Sequence, residues 1–98
     1  VAILAKTLAT GVTVTGAVAS QDLAVMARSM TMQVISTADP ASQVMLQGSL
    51  DNVNFFGMGQ VTGSGQISVD EDVVQYVRAY VNRLASGNIT AYCSFVSG

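Results

Sequence analysis

Gln75-Tyr76-Val77-Arg78-Ala79-Tyr80-Val81, followed beyond Ser86-Gly87-Asn88 by Ile89-Thr90-Ala91-Tyr92-Cys93-Ser94-Phe95, decides the fold. Val77, Ala79 and Val81 recur at every second position with Tyr76, Arg78 and Tyr80 between them, so an extended backbone places one set on each face. Ile89, Ala91, Cys93 and Phe95 repeat that period, and the Ser-Gly-Asn step between the two runs is turn chemistry. Two half-buried strands joined by a short turn follow. Upstream, Val44, Leu46 and Gly48 alternate with Gln43, Met45 and Gln47; Leu50-Asp51-Asn52-Val53-Asn54 turns the chain, and Phe55-Phe56-Gly57-Met58 resumes the apolar signal. This predicts a hairpin. Gly57, Gly59, Gly63 and Gly65, set among Gln60, Val61 and Thr62, predict a sharp bend or a mobile loop ahead of Ile67-Ser68-Val69.

Further upstream the pattern admits two readings over Ser20–Met32. A helix would be capped by Ser20 and carry Leu23, Ala24, Ala27 and Met30 on one face. A strand pairs Leu23, Val25 and Ala27, breaks near Arg28-Ser29 and continues through Met30, Met32 and Val34; the strand is the reading carried forward. Thr37-Ala38-Asp39-Pro40 closes it with a turn, because Pro40 has no N–H and restrains Asp39 to extended geometry. Near the start, Val12 and Val14 alternate with Thr13 and Thr15 across a break at Gly16, giving one or two short strands. Val1 to Leu8 reads as an outer strand or an extended N-terminal arm. The apolar run Val1–Ala5 is shorter than a signal-peptide core of about 7 to 15 residues, so it is expected to be mature sequence.

Composition agrees with this texture. Fifteen valines, four isoleucines and eight threonines are β-branched, and 29 residues are Ser, Thr, Gln or Asn. Such side chains suit a pleated surface. The expectation is an all-β chain, residues 1–98 forming one antiparallel β-sandwich, jelly-roll-like, of 7 to 8 short strands. Only 10% of the 98 residues are charged, and Lys6, Arg28, Arg78 and Arg83 are scattered, which argues against a nucleic-acid partner. No run approaches the roughly 20 apolar residues of a membrane-spanning helix. With no His and a single Cys, the commonest general base, most zinc sites and any internal disulfide are missing, so no enzyme activity and no cofactor are expected.

The remaining candidates each have a plain structural reading. Cys93 falls in phase with Ile89 and Phe95 and is expected to be buried and inert. Asp70-Glu71-Asp72 is a solvated acidic turn before it is a calcium site, and Asp51-Asn52-Val53-Asn54 lacks the third-position ligand and the closing Glu of an EF-hand loop. The glycines from 57 to 65 do not match a phosphate-binding loop. Asn88-Ile89-Thr90 fits the glycosylation sequon, a permissive pattern. Tyr76, Arg78 and Tyr80 share a strand face on which the guanidinium can stack on a ring for recognition, or tie a loop through Asp51.

The stretch Gln47-Gly48-Ser49-Leu50-Asp51-Asn52-Val53-Asn54-Phe55-Phe56, followed by Tyr76-Val77-Arg78 and by Gly87-Asn88-Ile89-Thr90-Ala91-Tyr92, resembles a pattern in small β-sandwich virion proteins of tailed bacteriophages. In those proteins a strand ends in Ser-x-Asp-Gly-x-x-Trp, a later one carries Tyr-Val-Arg, and a last one reads Gly-x-(Ile/Val)-Thr-Ala-Tyr. Discoidin-like, galactose-binding jelly rolls have a similar pair of motifs. Here Asn52 stands in place of the Gly, and Phe55 or Phe56 in place of the Trp; Asn tolerates the left-handed conformation. The resemblance covers about residues 43 to 95. It implies a structural motif of Ser49, Asp51, Phe55, Phe56, Tyr76 and Arg78, in which Arg78 pairs with Asp51. It also implies a capsid decoration protein that stabilises the head shell in many copies, made in the host bacterial cytoplasm and carried on the virion surface. Its partners would be the major capsid protein and copies of itself, as a homo-oligomer with a trimer expected. Val1, Ala2, Ile3 and Leu4 would form the arm that reaches a neighbour. A neck or tail component and a small carbohydrate-binding module using Tyr76, Tyr80 and Tyr92 are the alternatives.

Overall fold

The alternating segments form strands throughout. The computed structural model describes residues 3–70 and 74–97, and contains β1 (Ile3–Val12), β2 (Gly16–Ala17), β3 (Gln21–Ser36), β4 (Gln43–Ser49), β5 (Phe56–Thr62), β6 (Gly65–Val69), β7 (Val74–Arg83) and β8 (Ile89–Ser97). Every pairing is antiparallel. The fold is an all-β sandwich of the jelly-roll-like kind. The strands form one continuous hydrogen-bonded sheet, β1-β8-β3-β7-β4-β5 with β6 on β3 and β2 on β7. It folds over at β3 into two layers, referred to below as two sheets: β1-β8-β3-β6, and β5-β4-β7 flanked by β2 and the first residues of β3.

β3 belongs to both sheets, which is why it runs to sixteen residues where short strands were expected. Gln21 and Asp22 pair with Val77 and Tyr76 on β7, whereas Thr31–Ser36 pair with β8 and Met30–Val34 with β6. Between these segments the backbone turns a corner through left-handed conformations at Ala24 (φ 62°) and Ser29 (φ 55°). Such φ values are uncommon outside glycine. Asp22 supports the first of them, its Oδ1 accepting the Ala24 N–H at 2.8 Å. The break read at Arg28-Ser29 is this second corner, marked by a register shift between Arg28 and Thr31. No helical turn forms between Ser20 and Met32.

The core lies between the sheets and follows the period-two reading. Val44, Leu46, Val77, Ala79 and Val81 from one sheet meet Met30, Met32, Val34, Ile89, Ala91, Cys93 and Phe95 from the other. Each fully buried large side chain contributes on the order of 1.5–3 kcal/mol. Gly59 lets β5 close on β6: a Cβ there would stand 2.5 Å from Ile67 Cδ1. Gly57–Gly65 is thus two strands and a tight turn rather than a mobile loop.

The arm reading does not describe Ile3–Leu8. Ile3, Leu4, Ala5, Lys6 and Thr7 pair in sequence with Val96, Phe95, Ser94, Cys93 and Tyr92, and Leu8 is 2% exposed. This segment is an outer strand because its backbone completes the sheet and Leu8 reaches the core. Val1 and Ala2 lie outside the described residues.

Loops gather at the two ends. At one end the β3–β4, β5–β6 and β7–β8 connections meet around Asp39, which is 7% exposed. Its carboxylate accepts the Ala85 N–H at 2.7 Å and the Ala41 N–H at 3.0 Å, and these bonds, that of Ala85 first, hold its pKa below the ordinary carboxylate value. At the other end, the β4–β5 loop carries Asp51 and Phe55, next to Ser49 of β4 and Tyr76 of β7.

Candidate functional site

The outward face of the second sheet is set by register. Tyr76, Arg78 and Tyr80 on β7 stand opposite Ser49, Gln47 and Met45 on β4, and Tyr76 is flanked on its other side by Asp22 of β3. The three β7 side chains are half-buried. This places Ser49, Asp51, Phe55, Tyr76 and Arg78 in one region, while Phe56 turns out to solvent with 44% exposure.

Two sets of contacts hold the 49–55 loop. The first centres on Asp51. Its Oδ1 accepts the N–H groups of Val53 at 2.9 Å and Asn54 at 2.8 Å and the Ser49 hydroxyl at 2.8 Å; its Oδ2 accepts Asn54 Nδ2 at 2.9 Å. Ser49 Oγ in turn accepts the N–H groups of Asp51 and Asn52 at 3.2 and 3.0 Å. These donors stabilise the charged carboxylate, first those of Asn54 and Val53, and hold the Asp51 pKa far below its ordinary value. Asn52 adopts φ 61° at the position where the resembled pattern has Gly, and its Oδ1 accepts the Ser20 hydroxyl at 2.6 Å, anchoring the loop tip beside β7.

The second set centres on Arg78. Its guanidinium carbon lies 4.0 Å from the centroid of the Phe55 ring and 5.9 Å from that of Tyr80, and its Nε donates to Gln47 Oε1 at 2.7 Å. The expected Asp51–Arg78 pair is therefore corrected. Asp51 spends its acceptors inside its own turn, and Arg78 holds the loop from the far side through Phe55. Phe55, rather than Phe56, takes the position of the tryptophan in the resembled motif. Gln47, Asn54 and Ser20 complete the latch; Gln47 becomes visible as a partner only once the β4–β7 register puts it opposite Arg78.

Latched in this way, the loop and its exit present three large apolar side chains to solvent: Leu50 (62% exposed), Val53 (77%) and Phe56. The tyrosines do not form one platform. Tyr76 and Tyr80 lie on this face, whereas Tyr92 pairs with Gln33 and Thr7 on the outward side of the other sheet.

Elsewhere, a shallow open depression at the Asp39 end is lined by Ser36, Asp39, Pro40, Gly63 and Ser64. Its polar groups bond one another: Ser36 N–H donates to Ser64 Oγ at 2.9 Å, and Ser42 Oγ to Ser36 Oγ at 2.8 Å. Cys93 is buried, and burial pushes its thiol up to about 11. Among the described residues no three His, Cys, Asp or Glu side chains converge as metal ligands, and Glu71 and Asp72 lie outside them. No helix among them is long and apolar enough to cross a membrane.

No protein-family model matches the chain, and no curated protein matches it. Solved structures do. The SPBc2 prophage-derived protein YomS aligns over 98% of this chain and 94% of its own length, with a TM-score of 0.76 at 11% identity. CBM32-3 from a family 31 glycoside hydrolase of Clostridium perfringens aligns over 98% of this chain and 75% of its own, with a TM-score of 0.62 at 13% identity. The family 29 carbohydrate binding module CBM29-2 aligns over 96% and 71%, with a TM-score of 0.56 at 11% identity. At these identities what is shared is the fold: a β-sandwich found both in a prophage-derived protein and in carbohydrate-binding modules.

Proposed function

We propose that the chain is a structural, non-enzymatic subunit of a tailed-phage virion: a decoration protein that binds the head shell in many copies and stabilises it. The observation that carries this reading is the latched β4–β5 loop, in which Ser49, Asp51, Phe55 and Arg78 immobilise a short turn whose apolar residues Leu50 and Val53 point away from the domain. Ordering a loop costs conformational entropy, and a pre-ordered apolar projection pays none of it again on docking. The outward face of the β1-β8-β3-β6 sheet supports the reading. Ala5, Thr7, Thr90, Tyr92, Ser94, Thr31, Gln33 and Ser68 form an uncharged stretch along it that ends at Arg28 opposite Val96, so a neighbouring subunit can cover that stretch without desolvating ions. The fold match to a prophage-derived protein over 98% of this chain also supports it.

On this reading the partner is the major capsid protein and the location is the capsid surface. Each loop makes a modest contact, and repetition over the shell supplies avidity. The test is co-sedimentation with emptied phage heads, comparing the native chain with a Leu50→Ser/Val53→Ser double variant. Both side chains are mostly exposed, so the variant is expected to keep its melting temperature while losing at least tenfold in head affinity. Equal pelleting of the two would refute the loop as the docking element.

A carbohydrate-binding module is the second reading, favoured by the likeness to CBM32-3 and CBM29-2. Tyr92 lies on the opposite face from Tyr76 and Tyr80, so such a module would have to stack its sugar on Tyr76 or Tyr80 beside Arg78 rather than on a platform of all three. A glycan array discriminates: a saturable preference supports the module, and its absence supports the virion subunit.

A further inference from the structure

The sandwich has four sheet edges, and they are not treated alike. β1 carries Lys6 and two register shifts, between Thr7 and Ala9 and between Ala9 and Val12. The opposite sheet's edge on the same side consists of the two-residue β2 and the Asp22 corner of β3, whose carboxylate also accepts Gln75 Nε2 at 3.2 Å. Short strands, bulges and inserted charges are the devices by which soluble sandwiches keep bare edges from pairing. β5 and β6 form the other side wall and have almost none of them. The eighteen residues from Asn52 to Val69 contain no charged residue and no proline. β6 pairs with β3 in unbroken register from Val69 to Gly65, and β5 has a single irregularity, near Met58, before Gly59–Thr62 pair regularly with β4. Among the described residues no strand hydrogen-bonds to the outer edge of either.

We infer that the β5/β6 wall is a strand-pairing interface between two copies of this chain, related by a two-fold axis perpendicular to the sheets. That operator keeps the layers in place and reverses strand direction, so β5 meets its copy antiparallel in one sheet and β6 meets its copy antiparallel in the other. Each sheet is thereby extended across the junction. The occupant follows from charge and symmetry. A two-fold contact sets a strand against an identical copy, so an edge with a net charge would repel its partner, and β5 and β6 carry no charge at all. A head-to-tail ring would instead have to join this wall to the protected β1 or β2 side. The pair is also closed, because the pairing consumes the two unprotected edges and leaves only the guarded ones. The inference concerns the isolated chain and does not depend on the phage shell being its partner.

Sedimentation velocity on the purified chain over a concentration series tests it, with two variants. Thr62→Lys and Gln66→Lys each put an ammonium on an exposed position of β5 and β6; combined, they set like charges across the two-fold. The native chain is expected to sediment at twice the monomer mass and the double variant as a monomer with an unchanged circular dichroism melting curve. Ala5→Lys, on the opposite wall, is expected to leave the dimer intact. A native chain that stays monomeric at all concentrations overturns the inference, as does a dimer indifferent to the two lysines or an open-ended polymer.

Discussion

The Phe55–Arg78 stack can be weighed by a double-mutant cycle. Phe55→Leu removes the π face and keeps most of the apolar bulk; Arg78→Met removes the charge and keeps a flexible stem. The guanidinium carbon is 4.0 Å from the ring centroid, well inside the roughly 6 Å range of the interaction, and both side chains are half-buried. Such contacts lie between about 0.5–1 kcal/mol for exposed pairs and about 2 kcal/mol for desolvated ones, so a coupling of about 1 kcal/mol is expected. Arg78→Met alone should cost more than the coupling, because Gln47 also loses its donor. The assay is urea unfolding followed by far-ultraviolet circular dichroism, since the chain has no tryptophan to report by fluorescence. A parallel cycle between Asp51→Asn and Arg78→Met is expected to show no coupling beyond experimental error. Zero coupling for Phe55–Arg78, or a clear one for Asp51–Arg78, would refute the latch as described.

Four further outcomes follow from the same geometry. Gly87→Ala should destabilise the domain by about 3 kcal/mol or more in thermal unfolding, because Gly87 has φ 76° and an added Cβ would collide with the Thr37 carbonyl. Deleting residues 1–8 should unfold or severely weaken the domain, and Leu8→Ala alone should cost about 2–5 kcal/mol in denaturant unfolding, in contrast to a dispensable arm. The Asp51 pKa is depressed on folding, chiefly by the Asn54 and Val53 N–H groups, so its stabilisation is full above the unfolded carboxylate value near pH 4 and is lost as pH falls further; Asp51→Asn should flatten the loss of melting temperature below pH 4. Cys93, buried and with its thiol raised to about 11, should resist a thiol reagent at pH 8 in the folded chain and react fully in denaturant.

The core was legible because it obeys a local rule. Val77, Ala79 and Val81, then Ile89, Ala91, Cys93 and Phe95, alternate with polar neighbours, and each faces inward. The left-handed turn at Asn52 and the self-capping of Asp51 were equally local, since the acceptor and its donors lie within three residues. What escaped the sequence depends on long-range register. Gln47 meets Arg78 across 31 positions, Ser20 meets Asn52 across 32, and Asp39 reaches the Ala85 N–H across 46. Val1 to Leu8 leaves outer strand and arm undecided in the sequence because it has too few polar residues to display a period, and the partner β8 lies at the other end of the chain. β3 was hard to classify because its corner at Ala24–Ser29 interrupts the alternation with two left-handed residues that are not glycine.

The most direct test of the virion reading is a saturation binding measurement of the purified chain on emptied heads, counting bound copies per major capsid subunit. A plateau at a fixed ratio set by the shell's symmetry, reduced by the Leu50→Ser/Val53→Ser change, is the predicted result. Heads that bind no chain at saturating concentration, or that bind it without a plateau, would contradict it.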